Sequence, residues 1–365
     1  MWIALSVVIV IAAVLLIISY YPPLGGKASK QSKLRIGESP NRLKRTFVNQ
    51  IPTDMSMSMG MMIKSLIEFA KGNPRGKPDA PIPVSAITAD QLGSAEDQAS
   101  VTWFGHSAVL LGLDGKTLFL DPMLGPTPSP FPIFGGRRYS QRLPLEIDKL
   151  PPIDAVVLSH DHYDHLDYDT IKQLKHKVRR FIVPLGVAAH LERWGVEPAI
   201  ITEHDWWDEL VFEGIKLTCA PARHFSGRNI GTRNSTLWCS WVISGKQANI
   251  YFSGDSGYGP HFKEIGDKFG PFDLTLMECG QYDERWAAIH MMPEQTVQAH
   301  IDVRGKTMIP IHWGAFTLAL HDWTDPVERA VKAAEKLHAM LATPRIGETV
   351  RIGEPKLPTI AWWRS

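Results

Sequence analysis

The stretch SHDHYDHLD, residues 159–167, places three histidines and three aspartates directly after the apolar run IDAVVL. The apolar run predicts a buried strand, and DYDTIKQLKHK, which begins at the end of the stretch, predicts a helix. In an extended chain His160 and His162 point to the same side, because they are two residues apart. Asp164 and His165 fall where the chain turns into the helix. Since imidazole and carboxylate groups suit zinc, the stretch predicts two metal sites, one at each pair.

Three further residues repeat the pattern of a polar side chain at a strand end. His224 follows KLTCAPAR, Asp255 follows IYFSG, and His312 follows MIPI. One such residue alone is usually a polar cap, but the recurrence makes these three the candidates that complete the two sites. Two ions bound by one loop would lie about 3.5–4 Å apart, as in dinuclear hydrolases.

The strands and helices around these residues predict an α/β fold. Early strands are joined by tight turns and later ones alternate with helices, which predicts two packed sheets covered by helices. The predicted helices cover residues 168–177, 186–194, 261–269, 293–302 and 326–341.

These motifs resemble a known family. SHDHYDHLD carries the HxHxDH signature of the metallo-β-lactamase fold. TWFGHSAVLL, FLDPMLGPTPSP, GDSGYGPHFKEIGDKFGPFDL, IHMMPEQ and IHWGAFTLA resemble blocks of the N-acylphosphatidylethanolamine-hydrolysing phospholipase D family, over residues 100 to about 335. The resemblance implies a four-layer αβ/βα sandwich.

The resemblance also implies a ligand set for two zinc ions, although the same side chains can hold iron or manganese. One ion would be bound by His160, His162 and His224, the other by Asp164, His165 and His312, with Asp255 bridging both.

The expected chemistry is hydrolysis. Metal binding lowers the pKa of water from 15.7 to about 7, and the ions offset charge on a phosphodiester during in-line displacement. Asp164 and Asp255 are assigned catalytic roles, because they neutralise about half of the charge of two divalent ions and leave a site suited to an anion. The resemblance implies that His290, in AAIHMMPEQ, donates a hydrogen bond to the phosphoryl group or leaving oxygen. The alternative is that His290 only caps the following helix.

Two other polar residues near these motifs are interpreted differently. His106, in FGHSAV, and Asp121, in FLDPM, are predicted to orient ligands and loops rather than to bind metal. Asp161 and Asp167 are predicted to be loop or helix-cap groups.

Residues 1–21, MWIALSVVIVIAAVLLIISYY, contain no charge and are long enough to cross a bilayer as one helix. They predict an uncleaved single-pass transmembrane anchor rather than a signal peptide, because no Lys or Arg precedes the apolar core and the sequence near Tyr21 is a poor cleavage site. The basic residues between Lys27 and Arg45 then place the catalytic domain on the cytoplasmic side.

The remaining chain divides into three predicted parts. Residues 22–99 form a basic linker and a Met-rich arm, residues 100–345 the hydrolase domain, and residues 346–365 a C-terminal extension. The Met-rich stretch, residues 55–72, has two interpretations: it packs the arm onto the domain, or it forms a soft apolar lip at a membrane or lipid groove.

Composition excludes some classes of function. The net charge is +1 and charges of both signs are spread along the chain, so nucleic acid is not expected as a partner. No two of the three cysteines form a CxxC motif, so neither a disulfide framework nor a thiolate zinc site is indicated.

The sequence therefore predicts a membrane-anchored dinuclear zinc phosphodiesterase. Its expected reaction is phospholipase D-type hydrolysis of N-acylphosphatidylethanolamine-like phospholipids, with residues 128–140 at the rim of the pocket. One alternative is a hydrolase of a soluble substrate from the same superfamily, such as a sugar-phosphate lactonase or another phosphodiesterase. A second alternative is a non-catalytic regulatory module at the membrane. The sequence does not specify an oligomeric state.

Overall fold

A computed structural model of the chain describes every residue except 1, 3, 4, 7, 8, 10–15, 18, 56, 57, 93–97, 134 and 365. The N-terminal arm contains two helices and a short hairpin. These elements are α1 (Lys30–Glu38), β1 (Arg42–Leu43), β2 (Thr46–Phe47) and α2 (Met59–Lys71).

Two seven-stranded sheets follow the arm. The first contains β3 (Ser100–Trp103), β4 (Val109–Leu113), β5 (Lys116–Leu120), β6 (Ile153–Val157), β7 (Val178–Pro184) and β8 (Ile201–His204). The second contains β9 (Glu209–Phe212), β10 (Ile215–Ala220), β11 (Ser240–Ser244), β12 (Asn249–Phe252), β13 (Phe272–Glu278), β14 (Gly305–Ile311) and β15 (Met340–Leu341). The last strand, β16 (Thr349–Arg351), pairs with β3 and completes the first sheet.

Both sheets are mixed. Strands β3, β4 and β5 are antiparallel, whereas β5 to β8 run parallel. In the second sheet β9 to β12 are antiparallel, and β12 to β15 run parallel. The parallel strands end at a common edge of each sheet, which brings the loops that follow them together.

The remaining helices are α3 (Tyr168–Leu174), α4 (Ala188–Arg193), α5 (His261–Phe269), α6 (Pro293–Asp302) and α7 (Asp325–Leu337). Alternation along each strand separates the inner core from the outer layers. In β5, Leu118 and Leu120 belong to the core between the sheets, whereas Phe119 belongs to the cluster that includes residues of α3 and α4. A third cluster joins the second sheet to α5, α6 and α7. The four-layer αβ/βα sandwich predicted from the sequence is the fold of residues 100 onward.

The prediction of a membrane-spanning helix over residues 1–21 is wrong. In the part of the chain that the structure describes, no helix is both long enough and apolar enough to cross a bilayer. The prediction was based on composition, whereas crossing requires an unbroken helix of about 20 residues. Residues 1, 3, 4, 7, 8, 10–15 and 18 of this run lie outside the described residues. The predictions of a single-pass topology and of a hydrolase domain on the cytoplasmic side depended on this anchor, so they are wrong as well.

The chain just after this run is bound to the two-sheet domain. Trp194 Nε1 donates a hydrogen bond of 2.8 Å to the carbonyl oxygen of Pro22, and the Tyr21 hydroxyl donates to the carbonyl oxygen of Pro130 over 2.6 Å. Arg228 donates to the carbonyl oxygen of Pro23 from Nε and Nη2. The start of the arm is therefore part of the folded domain.

The predicted helix over residues 326–341 is also too long. Helix α7 ends at Leu337, because His338 adopts a left-handed conformation with φ of 54°. Met340 and Leu341 then form β15, which pairs with β14 at the edge of the second sheet. The sequence lacks a Gly or Pro at this point, so it carries no strong stop signal.

Candidate metal centre

The loop after β6 carries the first four candidate ligands. The backbone N–H groups of His165 and Leu166 both donate to the carbonyl oxygen of His162, which forms a tight turn. The Asp167 side chain accepts from the backbone N–H of Thr170 at 2.8 Å and so caps α3. The strand end, the turn and the cap together direct the histidines of this loop toward one point.

The other three candidates arrive at the same edge from the second sheet. His224 follows β10, Asp255 follows β12, and His312 directly follows β14. His312 has a φ of 65°, a left-handed conformation at the point where the chain leaves the strand. The structure thus brings together all seven residues that the sequence proposed as ligands.

The first group of potential ligands contains three histidines and Asp255. One ligand atom from each of His160, His162, His224 and Asp255 lies within 4.8 Å of all the others. The Nε2 atom of His224 is 3.2 Å from Nδ1 of His162. Asp255 Oδ2 lies 3.7 Å from His224 Nε2 and 3.8 Å from His160 Nε2. These distances leave room for one ion between the four side chains.

The second group is centred on Asp164. Its Oδ2 atom lies 3.5 Å from His165 Nε2 and 3.8 Å from His312 Nε2. His106 belongs to the same group, and its Nε2 is 2.9 Å from Asp164 Oδ2. This contact is compatible with the orienting role that the sequence predicts for His106, and the same position makes His106 a further potential ligand.

Asp255 lies between the two groups. Besides its contacts with the first group, its Oδ2 is 3.1 Å from His165 Nε2, and its Oδ1 is 3.1 Å from His312 Nδ1. The carboxylate therefore reaches histidines of both groups, as a bridging ligand must.

The electrostatic environment suits divalent cations. Burial and neighbouring imidazoles hold the pKa values of His160, His224 and His312 well below the usual range for histidine, so these rings are neutral and offer lone pairs at pH 7. Burial raises the pKa of Asp255 to about 6, although His165 opposes this shift. Among the described residues, the buried Nε2 atom of His160 has no hydrogen-bond partner. An orphaned imidazole nitrogen beside a buried carboxylate fits a metal ion.

Neighbouring polar groups fix the orientation of the rings. Asp121 Oδ2 is 2.7 Å from His165 Nδ1, and its Oδ1 accepts from the backbone N–H of Ser159 at 2.7 Å. The carbonyl oxygen of Ile289 lies 3.0 Å from His224 Nδ1. Such hydrogen bonds to Nδ1 fix the orientation of the ring and favour the tautomer in which Nε2 is available to a metal.

Asp161 faces away from the centre. Its carboxylate accepts from the backbone N–H of Gly227 at 2.8 Å and from the Thr236 hydroxyl at 2.9 Å, and it lies 3.2 Å from His190 Nε2. The nitrogen on the other side of the His190 ring accepts from the backbone N–H of Gly26 at 2.9 Å. Through His190, Asp161 therefore links the loop after β6 to the N-terminal arm.

His290 lies at the edge of the two groups. Its ring centroid is 5.0 Å from that of His224 and 5.3 Å from that of His312. Helix α6 is capped by Met292 rather than by His290. His290 Nδ1 is 2.8 Å from Oε2 of Glu278, while Glu278 Oε1 accepts from the backbone N–H of Met291 at 2.7 Å.

Glu278 was not predicted from the sequence. It is fully buried at the last position of β13, and burial raises its carboxyl pKa well above the usual range. The run LTLMEC ends one strand with an acidic residue, which is the same strand-end signal that identified Asp255 and His312. Applying that signal to β13 would have found it.

The chain matches the family model described as beta-lactamase superfamily domain over residues 116–313. The chain belongs to the metallo-β-lactamase superfamily. The fold is similar to that of the solved structure of Igni18, a metallo hydrolase from Ignicoccus hospitalis, with a TM-score of 0.54 and 21% identity over 70% of this chain and 99% of that one.

Two relatives are similar to this chain over most of its length. N-acyl-phosphatidylethanolamine-hydrolyzing phospholipase D 1 of Caenorhabditis elegans is 34% identical over 275 residues, which cover 71% of this chain and 77% of that protein. An uncharacterized protein of Mycobacterium tuberculosis is 42% identical over 332 residues, which cover 90% of this chain and 88% of that protein. The family resemblance inferred from the sequence is confirmed. The metallo-β-lactamase fold, the His/Asp clusters and the hydrolases among its relatives make this protein a metal-dependent hydrolase.

Proposed function

We propose that this metallo-β-lactamase-fold protein is a phospholipase D-type phosphodiesterase that acts on N-acylphosphatidylethanolamine-like phospholipids with two zinc ions. The observation that carries the proposal is the position of Asp255, whose carboxylate contacts histidines of both ligand groups. The name of the nematode relative supports the substrate class.

The ligand groups fit two divalent ions. His160, His162 and His224 would hold one, Asp164, His165 and His312 the other, and Asp255 would bind both. When bound, such ions lower the pKa of water to about 7 and offset charge on the phosphoryl oxygens. Asp164 and Asp255 limit the net positive charge of the centre, so that an anionic phosphodiester binds without being held too tightly to leave.

In the proposed reaction water attacks phosphorus, and the bond between phosphorus and the oxygen of the N-acylethanolamine group breaks. The products are phosphatidic acid and N-acylethanolamine, whose oxygen must gain a proton. His290 is suited to assist at this oxygen or at the phosphoryl group, because Glu278 engages its Nδ1 and, among the described residues, no hydrogen bond involves its Nε2. The contact with Glu278 thus sets the direction of the His290 ring.

The proposal is tested with purified, zinc-loaded protein and a panel of phospholipids. The panel contains N-acylphosphatidylethanolamine, phosphatidylethanolamine and phosphatidylcholine, and products are identified by mass spectrometry. The expected products are phosphatidic acid and N-acylethanolamine from the first substrate. Diacylglycerol in place of phosphatidic acid would indicate cleavage of the other phosphoester bond and would overturn the proposed reaction. Turnover of a soluble phosphodiester but of no phospholipid would overturn the substrate class.

Zinc is tested against the two other metals that the ligands accept. Protein stripped by a chelator is reloaded with zinc, iron or manganese, and turnover is compared at equal metal content. The highest turnover is expected with zinc, whereas a clear preference for iron or manganese would contradict that assignment.

A further inference from the structure

Helix α2 is attached to the domain by its polar residues. Arg285 Nη1 donates to the Ser65 hydroxyl at 2.8 Å and to Glu68 Oε2 at 2.7 Å. Ser65 is buried, and it is the one buried residue of this helix. An ordinary surface helix does the opposite and turns its apolar stripe toward the core.

Large parts of the apolar side chains of α2 are exposed, although Phe69 also packs against Trp286 of the domain. Seven large apolar residues of this helix are exposed, namely Met59 (66%), Met61 (45%), Met62 (41%), Ile63 (50%), Leu66 (64%), Ile67 (50%) and Phe69 (43%). Single exposed apolar residues are normal on a protein surface, but a continuous group of this size marks an interaction site.

The charge around this apolar face favours an anionic partner. Residues 59–77 contain four basic residues and one acidic residue, Glu68. The acidic charge is paired with Arg285 at 2.7 Å and also lies 3.9 Å from Nζ of Lys64, whose side chain is 77% exposed. Lys71 and Lys77 are exposed at and beyond the end of the helix. Basic residues near an anionic lipid surface strengthen binding to it.

The helix is connected to the segment that carries His290. Phe69 stacks on Trp286 with ring centroids 6.2 Å apart, and the backbone N–H of His290 donates to the carbonyl oxygen of Trp286 at 3.3 Å. A cavity of about 570 Å³ lies between the helix and this segment, with Met61 and Met292 among its lining residues. A surface bound to α2 would therefore lie beside the metal centre.

We propose that α2 docks onto the surface of an anionic lipid bilayer and holds the metal centre beside it. This inference rests on the proposed function, because the bilayer to which α2 docks would contain the phospholipid substrate. The helix has 13 residues and is about 20 Å long, so it lies in the plane of the interface and does not cross the bilayer. The apolar face enters the boundary between headgroups and acyl chains, and the lysines contact the headgroups.

A probe attached to the helix tests this contact directly. The three native cysteines are buried, so Leu66→Cys provides a selective site for an environment-sensitive fluorophore. Mixed phosphatidylcholine and phosphatidylglycerol vesicles should shift the emission of this probe to the blue. The same fluorophore at Val211→Cys, an exposed position on β9, should show no shift. An unshifted probe at residue 66 would overturn the proposal, even if other parts of the chain bind the vesicles.

A triple variant separates docking from catalysis. Ile63→Ser, Leu66→Ser and Ile67→Ser together should weaken the docking measured through a probe at Met59→Cys, an exposed position at the start of α2, by about tenfold or more. Each removed side chain loses burial in the interface. Hydrolysis of a soluble phosphodiester should be unchanged. Val211→Ser with Ile360→Ser, two exposed apolar positions outside the arm, is the matched control.

The outcomes distinguish this proposal from the proposed function. Loss of vesicle contact in the triple variant, without phospholipid hydrolysis by either protein, would support docking and overturn the proposed function. Vesicle contact that is equal in the triple variant and its control would overturn docking, whatever the activity. A dimer that dissociates in the triple variant, with no vesicle contact in either protein, would identify a second copy as the occupant and would also overturn docking.

Discussion

The Nδ1 atom of His290 lies 2.8 Å from Oε2 of Glu278, a fully buried carboxyl group at the end of β13. Since the other oxygen of this group accepts from the backbone N–H of Met291, the carboxyl group is fixed from both sides. Glu278 thus fixes the orientation of the His290 ring at the edge of the two ligand groups.

Glu278→Gln should lower kcat by about 10- to 100-fold and leave metal content unchanged, because the amide disturbs the contact that orients His290. Steady-state kinetics and metal analysis by mass spectrometry measure the two quantities. The matched control is Glu203→Gln, since Glu203 is also buried and accepts backbone hydrogen bonds but lies in β8. This control should keep its kcat.

His290→Ala should also retain metal and lose turnover, and it should mask the effect of Glu278→Gln. If Glu278 acts only by positioning His290, the double variant should have the same kcat as His290→Ala alone. If the fold-reductions in kcat of the two single variants multiply in the double variant, Glu278 acts independently of His290.

Asp255→Asn should reduce the bound metal from two ions per chain to one or fewer, because a carboxylate that contacts both ligand groups is replaced by a poorer ligand. Turnover should fall by about 100-fold or more. Asp154→Asn is the control, since Asp154 accepts a hydrogen bond from Arg179 on the first sheet. A full complement of two ions in Asp255→Asn would contradict the bridging assignment.

The chain should lose stability as the pH falls from about 6.5 toward 4, in part because of His300. This histidine is buried in α6, its Nδ1 is 2.7 Å from the Thr275 hydroxyl, and burial lowers its pKa to about 4. Between the unfolded pKa of about 6.5 and the folded value, the unfolded chain binds the extra proton. The free energy of unfolding therefore declines by about 1.4 kcal/mol per pH unit for this group.

Urea unfolding of metal-free protein at pH 7, 6 and 5 measures this decline. The free energy of unfolding should depend less on pH in His300→Gln than in the wild-type chain, and the difference should correspond to about one proton. His261 should preserve part of the dependence in both proteins, because burial lowers its pKa to about 3. Identical slopes for His300→Gln and wild type would show that His300 does not contribute.

The C-terminal residues should be required for the stability of the hydrolase domain. Trp362 stacks on Trp313, which directly follows His312, with centroids 5.4 Å apart, and it is buried. Trp362→Ala should lower the free energy of unfolding by about 3–5 kcal/mol. The exposed Ile360 provides a control, because Ile360→Ala removes little buried surface. A loss below 1 kcal/mol in Trp362→Ala would show that the packing of Trp362 on Trp313 is not required for stability.

The sequence predicts the sandwich and the seven candidate ligands because both depend on local patterns. A histidine or aspartate after an apolar run is visible in the sequence, and parallel strands bring such ends together. Glu278 was missed because it lies inside the run LTLMEC, which was taken whole as a strand, so the strand-end signal was not applied to it.

Other features depend on tertiary contacts and could not be read from the sequence. The apolar composition of residues 55–72 is evident, but the direction in which α2 turns that face depends on Arg285, which is distant in sequence. The end of α7 depends on the backbone of His338 and on pairing of β15 at the sheet edge. The transmembrane prediction failed because apolar composition alone does not establish a helix of sufficient length.

Hydrolysis of N-acylphosphatidylethanolamine in water enriched in ¹⁸O tests the central claim most directly. The zinc-loaded protein should release phosphatidic acid that carries one ¹⁸O atom on phosphorus and N-acylethanolamine without label, because water attacks phosphorus. Protein stripped of metal by a chelator should release neither product. Label in the N-acylethanolamine, or equal turnover by the stripped protein, would contradict metal-dependent phospholipase D-type hydrolysis.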